Sequence, residues 1–296
     1  MTELPPLYKY LNVMGAKLTL GNRAFKHSKP SDFNDIEDLT IRSIFPESDE
    51  VALAEINNGL TGILIRHLNE IPTIENPKLR ASITLMQRIF REKPGAVQIV
   101  KDGMRKSKVF TIDQMRAKNR TFVDEINDFM QGYRVLCVSE SKDSERMWER
   151  YAQNNEGVVL RITPNVEKDS KFQLFRKVEY QDARPPLYES TVNFLEGTIF
   201  GDQKIIRKAM LDKIVYAKTR EWEYEKEYRL AIPVHDDGQD WNTMPYHPEE
   251  ITELYLGHKM TDEARSEIVG LARAVNPKIS IFETRCGSDG KLSFHQ

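Results

Sequence analysis

Three glutamates and an arginine alternate through the stretch Trp222–Leu230, and their types and spacing are the most suggestive of chemistry in this chain. In a β-strand, residues two apart point to the same face, so Glu223, Glu225 and Glu227 would share one face with Arg229. Carboxylates at this spacing can fix a sugar hydroxyl and an attacking group side by side, stabilising an oxocarbenium-like transition state. The alternative is an edge strand with a solvated acidic face that Arg229 partly neutralises.

A second group of residues could line a pocket or simply pack. Trp148 and Tyr151 lie three apart on one face of a predicted helix, which is typical of core packing and also of a flat aromatic wall. Asn34 and Asp35 suit a turn, but a loop next to the first strands could also reach a ligand. Cys137 stands inside an apolar strand and is predicted to pack in the core.

Several well-known sites are missing from the sequence. It has neither a glycine-rich phosphate loop nor a G-x-S-x-G elbow. The six histidines are scattered, and none stands at ligand spacing from a cysteine, so we predict no metal. The run starting at His235 is predicted to be a solvated turn.

Charge is balanced overall but unevenly distributed, since 43 basic and 45 acidic residues give a net charge of −2. Twelve bases against three acids lie between Lys78 and Arg120, and eight acids against one base lie between Asp32 and Asn57. The basic stretch could attract a phosphate backbone, for which Arg105, Lys106 and Lys108 are the candidate contacts. The alternatives are a solvated helical surface and a match with the acidic stretch or an acidic partner.

Hydrophobic spacing predicts an α+β protein in which a helical block of roughly eighty residues separates early from middle strands. Thr261 is the expected N-cap of the last helix. The predicted strands are Leu7–Asn12, Arg23–Ser28, Tyr133–Ser139, Gly157–Ile162, Glu223–Val234, Ile251–Leu256 and Lys278–Glu283, with Phe172–Tyr180 extended. Outside the helical block, the predicted helices are Met14–Leu20, Ser144–Asn154, Thr191–Lys218 and Thr261–Ala274.

The expected cellular compartment of the protein is inferred from the sequence features that it lacks. The longest apolar stretches are strand-sized, and the first ten residues do not resemble a signal peptide, so no membrane association is expected. Two distant cysteines fit a reducing compartment, and we therefore expect a cytoplasmic protein.

Several short motifs in order resemble one widespread bacterial family of unknown function, the domain family numbered 2971, which is related to abortive phage-resistance proteins. The resemblance covers nearly the whole chain apart from the helical block. Its motifs are LYKY at Leu7–Tyr10, the loop Phe33–Asp35, Met-Trp-x-x-Tyr-Ala at Met147–Ala152 followed by Gly157, W-x-x-E-x-E-Y-R at Trp222–Arg229, and TELYLGHKM at Thr252–Met260.

That family in turn resembles ADP-ribosyltransferases, which implies a split β-sheet with a helical insertion at about 45–131 and a C-terminal strand-helix-strand, all in one domain. By this resemblance Glu227 holds the nicotinamide-ribose hydroxyl and Glu225 orients the acceptor. Ser139, in the motif Ser139–Ser141, supports Glu227 and the ribose. The remaining NAD contacts would come from Tyr8, Lys9, Tyr10, Asn34, Trp148 and Tyr151. The first strand departs from the family pattern, because it carries neither arginine nor histidine at the expected place.

The resemblance implies transfer of ADP-ribose from NAD to a macromolecule, with nucleic acid slightly favoured over protein, by a toxin or antiviral effector. An antitoxin or inhibitor protein is then an expected partner. The alternatives are an NAD glycohydrolase using the same residues and a catalytically silent binding or antitoxin-like module on the same fold.

Overall fold

The computed structural model describes residues 4–107, 111–235, 241–287 and 291–296, and of residues 104–107 it describes the backbone alone. These residues combine helices with a mixed β-sheet, which confirms the α+β class. They form two compact units. Unit 1 comprises Met1–Asp38, Gln131–Ala183 and Lys218–Gln296, and unit 2 comprises Leu39–Met130 and Arg184–Ala217.

Most of the strands belong to one sheet. The strands are β1 (Leu7–Leu11), β2 (Ala24–Lys26), β3 (Tyr133–Ser139), β4 (Val158–Ile162), β5 (Arg176–Lys177), β6 (Glu179–Gln181), β7 (Ala217–Thr219), β8 (Glu227–Pro233), β9 (Thr243–Pro245), β10 (Ile251–Leu256), β11 (Ser280–Cys286) and β12 (Leu292–His295). Within the described ranges, eight strands form a sheet in the order β12-β11-β10-β4-β1-β3-β8-β5, while β2 pairs with β9 and β6 with β7.

The sheet is narrowest between β1 and β3. Across the described residues these two strands share one residue pair, Tyr8 opposite Ser139, whereas β1 pairs with β4 along its whole length. On the other side, β3 pairs with β8 over seven residues and places Ser139 opposite Glu227. Directly opposed residues share a face of a sheet, so Tyr8, Ser139 and Glu227 lie in a row.

The helices are α1 (Val13–Asn22), α2 (Asp49–Arg66), α3 (Pro77–Glu92), α4 (Ala96–Ser107), α5 (Ile112–Met130), α6 (Glu145–Tyr151), α7 (Thr191–Phe200), α8 (Gln203–Val215) and α9 (Asp262–Val275). Their starts follow from capping, because a short polar side chain satisfies a backbone N–H that has no partner within the helix. Asn76 caps α3 just before Pro77, and the Thr261 hydroxyl accepts from the Ala264 N–H at the start of α9, which confirms the predicted cap.

The core of unit 1 lies against the central strands of the sheet. Leu136 of β3, Leu160 of β4 and Leu254 of β10 belong to one cluster with Ile268 of α9 and are almost fully buried. A smaller aromatic cluster contains Tyr8, Tyr10, Val159, Tyr255 and Trp148 of α6. Strands β10 and β11 are parallel and joined by α9, as predicted for the C-terminal strand-helix-strand.

Unit 2 is helical and has two apolar clusters. Ala52 of α2 and Met115 of α5 pack with Phe194 of α7, and Leu64 of α2 packs with Ile199 of α7. Unit 2 therefore takes in α7 and α8 besides α2–α5, whereas the sequence placed only residues 45–131 in the helical insertion.

Three predicted elements differ from the structure. The segment Phe172–Tyr180, predicted to be extended, begins in a 3₁₀ turn, Lys171–Leu174, before the short strands β5 and β6. The single predicted helix Thr191–Lys218 is two helices, because α7 ends at Gly201 and Asp202 starts α8 as its N-cap. The predicted strand Glu223–Val234 starts only at Glu227, since Arg220–Glu225 is a 3₁₀ turn.

Candidate functional site

A cavity of about 260 Å³ lies in unit 1, with walls from the two strands that separate at the narrow part of the sheet. Its lining comes from β1, the loop after β2, β3, α6 and residues 218–227. The polar and aromatic lining residues are Tyr8, Lys9, Tyr10, Ser28, Asp32, Phe33, Asn34, Asp35, Asp38, Cys137, Ser139, Tyr151, Lys218, Trp222, Glu225 and Glu227.

Lys218 of β7 is the central cation of this cavity. Its ammonium Nζ donates to Glu225 Oε2 at 2.5 Å and to Glu227 Oε2 at 3.0 Å, and it lies 3.6 Å from Asp38 Oδ2. All four side chains are buried. A buried charge is tolerated only when paired and hydrogen-bonded, and here one ammonium serves three carboxylates.

Arg229 completes the cluster from β8 and is fully buried. Its Nε donates to Glu227 Oε1 at 2.8 Å and its Nη2 to Glu227 Oε2 at 2.9 Å. Its Nη1 donates to Asp38 Oδ1 at 3.0 Å, so the planar guanidinium bridges both carboxylates. The network thus holds three acids and two bases.

The two glutamates have opposite pKa shifts. Burial disfavours the charged form of Glu227, but Arg229 and Lys218 outweigh it and hold the pKa of that carboxyl far below its usual range. Burial raises the pKa of Glu225, and Lys218 offsets this in part while the Glu227 charge adds to it. Burial opposes the charge on Lys218, but the carboxylates of Glu227, Glu225 and Asp38 raise its pKa. One cavity therefore holds a permanently ionised carboxylate beside one suited to exchanging a proton.

The backbone at Lys226 brings these glutamates together. Lys226 has a left-handed conformation, φ 44°, between the 3₁₀ turn and β8. The predicted strand face bearing all three glutamates is therefore wrong, because Glu223 and Glu225 precede the strand. Glu223 is exposed, whereas Glu225 and Glu227 are buried, so the alternative of a solvated acidic edge is also wrong.

The Glu227 carboxylate accepts more hydrogen bonds from protein donors than the Glu225 carboxylate does. A carboxylate has about four acceptor positions. Glu227 receives three bonds, from Arg229 and Lys218. Glu225 receives two, one from Lys218 and one from the Tyr151 hydroxyl at 2.6 Å. Glu225 therefore has more room for a ligand hydroxyl than Glu227.

Aromatic rings form the wall around Glu225. Tyr151 of α6 and Trp222 of the 3₁₀ turn both line the cavity, and Lys218 Nζ lies 4.9 Å from the Trp222 ring centre. Arg150 stacks on Trp222 at 4.4 Å. Burial and the Glu225 charge raise the pKa of Tyr151, which therefore stays a hydrogen-bond donor at neutral pH.

The first-strand candidates all line the cavity, each in a different way. The Tyr10 hydroxyl donates to the Ser141 carbonyl at 2.9 Å, and the Tyr8 ring packs edge-on against Tyr255. Lys9 Nζ donates to the Cys137 carbonyl at 2.8 Å. Burial lowers the pKa of Lys9, which weakens it as a cationic contact for NAD.

Ser139 supports the turn that carries Glu225. Its Oγ donates to the Glu225 carbonyl at 2.7 Å and accepts from the Ser141 N–H at 3.0 Å. The structure thus brings Ser139 next to both glutamates, through the Glu225 backbone and through the cross-strand pair with Glu227. The loop Phe33–Asp35, with the candidate Asn34, forms another part of the lining.

Trp148 was predicted to contact NAD, but it lies outside the cavity. Its ring is fully buried in the aromatic cluster of unit 1, and its Nε1 donates to the Lys142 carbonyl at 2.8 Å. It does not line the cavity, and its contacts are those of a packing residue. Tyr151, one helical turn further on, packs against the same cluster and also lines the cavity.

The basic stretch falls partly outside the described residues. Lys108 lies outside them, as do the side chains of Arg105 and Lys106. Elsewhere in the stretch, Arg116 donates to Asp49 at 3.3 Å and to Glu50 at 2.6 Å, both in the acidic stretch. The intramolecular match between the two stretches is therefore present at Arg116.

Asp38, Lys218 and Trp222 belong to the site but were not singled out in the sequence. Lys218 was assigned to a helix, and Asp38 was counted only as part of the acidic stretch. Their signal was electrostatic, since two buried glutamates and one nearby arginine require a further base. Asp38 could not be chosen from the sequence, because it lies 180 residues from Lys218 along the chain. Lys218 lies only seven residues before Glu225, but the predicted helix placed it away from the strand.

The described part of the chain contains no group of three or more His, Cys, Asp or Glu side chains arranged to hold a metal ion. It also contains no helix with the length and apolar character needed to cross a bilayer.

Comparison with known proteins gives one match. Residues 147–230 match a family described as "Protein of unknown function (DUF2971)". The matched segment runs from α6 to β8 and contains Tyr151, Lys218, Trp222 and both buried glutamates. It includes two of the motifs that carry the resemblance, and the motifs at Leu7, Phe33 and Thr252 lie outside it. No curated protein and no solved structure matches the chain.

Proposed function

We propose that the protein cleaves the nicotinamide–ribose bond of NAD in the cavity of unit 1 and transfers ADP-ribose to a macromolecular acceptor. The observation that supports this most is the pair Glu225 and Glu227, whose pKa values are shifted in opposite directions beside one lysine. Cleavage of a glycosidic bond uses such a pair, one carboxylate remaining ionised near the developing cation and the other handling a proton.

The roles within the pair follow from their hydrogen bonds. Glu227 accepts three bonds from the cations Arg229 and Lys218, so it supplies a fixed negative charge that stabilises positive charge at the anomeric carbon. Glu225 retains acceptor positions and faces the cavity, so it accepts the ribose hydroxyl or the proton of the attacking group. This moves the hydroxyl contact from Glu227, where the resemblance put it, to Glu225.

The surrounding wall suits the same substrate. Trp222 and Tyr151 offer flat rings next to the glutamates, against which a nicotinamide ring can stack. The narrow junction between β1 and β3, with the cavity beside it, is consistent with the split sheet of ADP-ribosyltransferases. The role of toxin or antiviral effector rests on the family resemblance alone.

The direct test measures nicotinamide release and acceptor labelling with NAD carrying a label in its adenylate half. Glu225→Gln should lower nicotinamide release about a hundredfold, the usual contribution of general acid–base catalysis. Glu223→Gln is the matched control, because Glu223 lies in the same 3₁₀ turn but is exposed. Equal activity in Glu225→Gln and Glu223→Gln, both folded, would remove the assignment.

Nuclease and protease treatment of the labelled product distinguishes nucleic acid from protein as acceptor. Release of free ADP-ribose, with no labelled macromolecule, would indicate the NAD glycohydrolase.

The competing function is a catalytically silent binding or antitoxin-like module on the same fold, and one observation favours it. Every carboxylate of the network already has a cationic partner, as in a purely structural ion cluster. NAD at a hundred times its Kd should raise the free energy of unfolding by about 2.7 kcal/mol if the cavity binds it. No thermal shift at millimolar NAD would favour the silent module.

A further inference from the structure

The two lysines that line the cavity differ in their ion pairs. Lys218 forms ion pairs with three carboxylates, whereas Lys9 forms none with any carboxylate among the described residues and has one hydrogen bond, to the Cys137 carbonyl. An ammonium has three donors, so two of them on Lys9 would lack a protein partner. A neutral amine needs fewer partners and keeps a lone pair.

The surroundings of Lys9 favour that neutral form. Burial lowers its pKa, although the Cys137, Glu227 and Glu225 side chains act in the opposite direction. His27 on the segment after β2 is buried too and, with its pKa lowered to about 4, adds no charge at neutral pH. Desolvation of a lysine is one of the usual ways in which its amine becomes a nucleophile.

Lys9 lines the same cavity as both glutamates, and the residue is only partly buried. From these observations we propose that Lys9 Nζ is an internal covalent acceptor, so that the protein modifies itself with ADP-ribose at this residue. The inference rests on the proposed function.

The cavity supplies every group that this transfer needs. The bond between the anomeric carbon and the nicotinamide nitrogen breaks, and its electron pair returns to the ring, which leaves as neutral nicotinamide. The Lys9 lone pair forms the new carbon–nitrogen bond, and the proton it sheds passes to a carboxylate, for which Glu225 is suited by its raised pKa.

The experiment incubates the full chain with NAD and follows intact mass, nicotinamide release and peptide maps together. We expect one ADP-ribosyl group per chain, on the peptide that carries Lys9, and its loss in Lys9→Arg. Lys26→Arg is the control, because Lys26 is an exposed lysine on neighbouring β2 and should keep the modification. Circular dichroism checks that both variants are folded.

A second measurement does not depend on NAD. Brief reductive methylation with formaldehyde at pH 7 should label Lys9 at least tenfold faster than Lys218, because a neutral amine reacts and an ion-paired ammonium does not. Lys9 reacting no faster than Lys218 would overturn the proposal.

The remaining outcomes separate the two proposals. If nicotinamide is released and Lys9 stays unmodified, internal transfer fails while the proposed function stands. If preformed ADP-ribose modifies Lys9 as fast as NAD does, the adduct is simple glycation and the proposal also fails. If NAD is not cleaved, the proposed function fails and internal transfer fails with it.

Discussion

At the residue scale, the site is governed by the pairing of Lys218 and Arg229 with three buried acids. Removing one partner from a buried ion cluster leaves charges without compensation, which typically lowers stability by about 3–5 kcal/mol. We therefore expect Lys218→Met to lower the free energy of unfolding by that amount, measured by urea denaturation at pH 7. Lys177→Met is the control, since Lys177 pairs with Glu140 in an exposed position. A loss in Lys218→Met no greater than in this control would contradict the network.

The pKa values of Glu225 and Glu227 are shifted in opposite directions, so the two carboxyl groups should respond differently to pH. A raised pKa at Glu225 means that its base form appears only above the usual glutamate range. Nicotinamide release should therefore rise with pH through that pKa, and this rising limb should be absent in Glu225→Gln. Glu227 has a lowered pKa in the folded protein. The stability that its carboxylate contributes is therefore fully present above the unfolded pKa and is lost as pH falls through the folded pKa. An unchanged profile in Glu225→Gln would remove its role as the base.

At the element scale, close backbone packing fixes how β1 and β4 meet at α6. A Cβ added to Gly157 would lie 2.2 Å from the Leu11 carbonyl oxygen and 2.9 Å from backbone atoms of Ala152. Because these neighbours are backbone, the strands must shift, and Gly157→Ala should lower stability by about 1–3 kcal/mol. Gly270→Ala in α9 meets no atom within 4 Å and should instead stabilise the helix by about 0.5–1 kcal/mol. Chemical denaturation of both variants checks the contrast.

Helices α2 and α7 are joined by a titratable contact within unit 2. His67 Nε2 is hydrogen-bonded to Glu196, and its Nδ1 lies 2.8 Å from Glu70. The Glu196 hydrogen bond raises the pKa of His67 against some burial. A raised folded pKa adds stability below the unfolded value of about 6.5, and this is lost as pH rises through the folded value. The melting temperature should therefore fall between pH 6 and pH 9, and His67→Gln should flatten that fall.

Elements that local patterning specifies were predictable from the sequence, and contacts between distant elements were not. Apolar runs predicted the strands Tyr133–Ser139 and Ile251–Leu256 with the bounds seen in the structure, because a buried strand requires apolar residues along its own length. The start of β8 was missed, because a left-handed lysine at Lys226 has no sequence signal comparable to glycine. The pairing of Asp38 with Arg229 depends on the fold and is invisible in either segment alone.

At the scale of the whole molecule, near-zero net charge coexists with a strongly basic segment from Lys78 to Arg120. Part of that charge is neutralised within unit 2, where Arg116 contacts Asp49 and Glu50. If the remaining bases contact phosphates, binding releases counterions, and the affinity must fall steeply as salt rises.

Reversal of Arg105, Lys106 and Lys108 to glutamate should therefore weaken binding of RNA or DNA and reduce the salt slope on a duplex by up to about three, about one for each lost phosphate contact. The control reverses three exposed bases of unit 1, Lys259, Arg273 and Lys278, and so gives the same net charge. Fluorescence anisotropy between 50 and 300 mM salt measures both. Equal weakening in the two variants would mean that net charge alone acts, whereas unchanged and salt-independent binding in the first variant would exclude the basic stretch as a nucleic-acid surface.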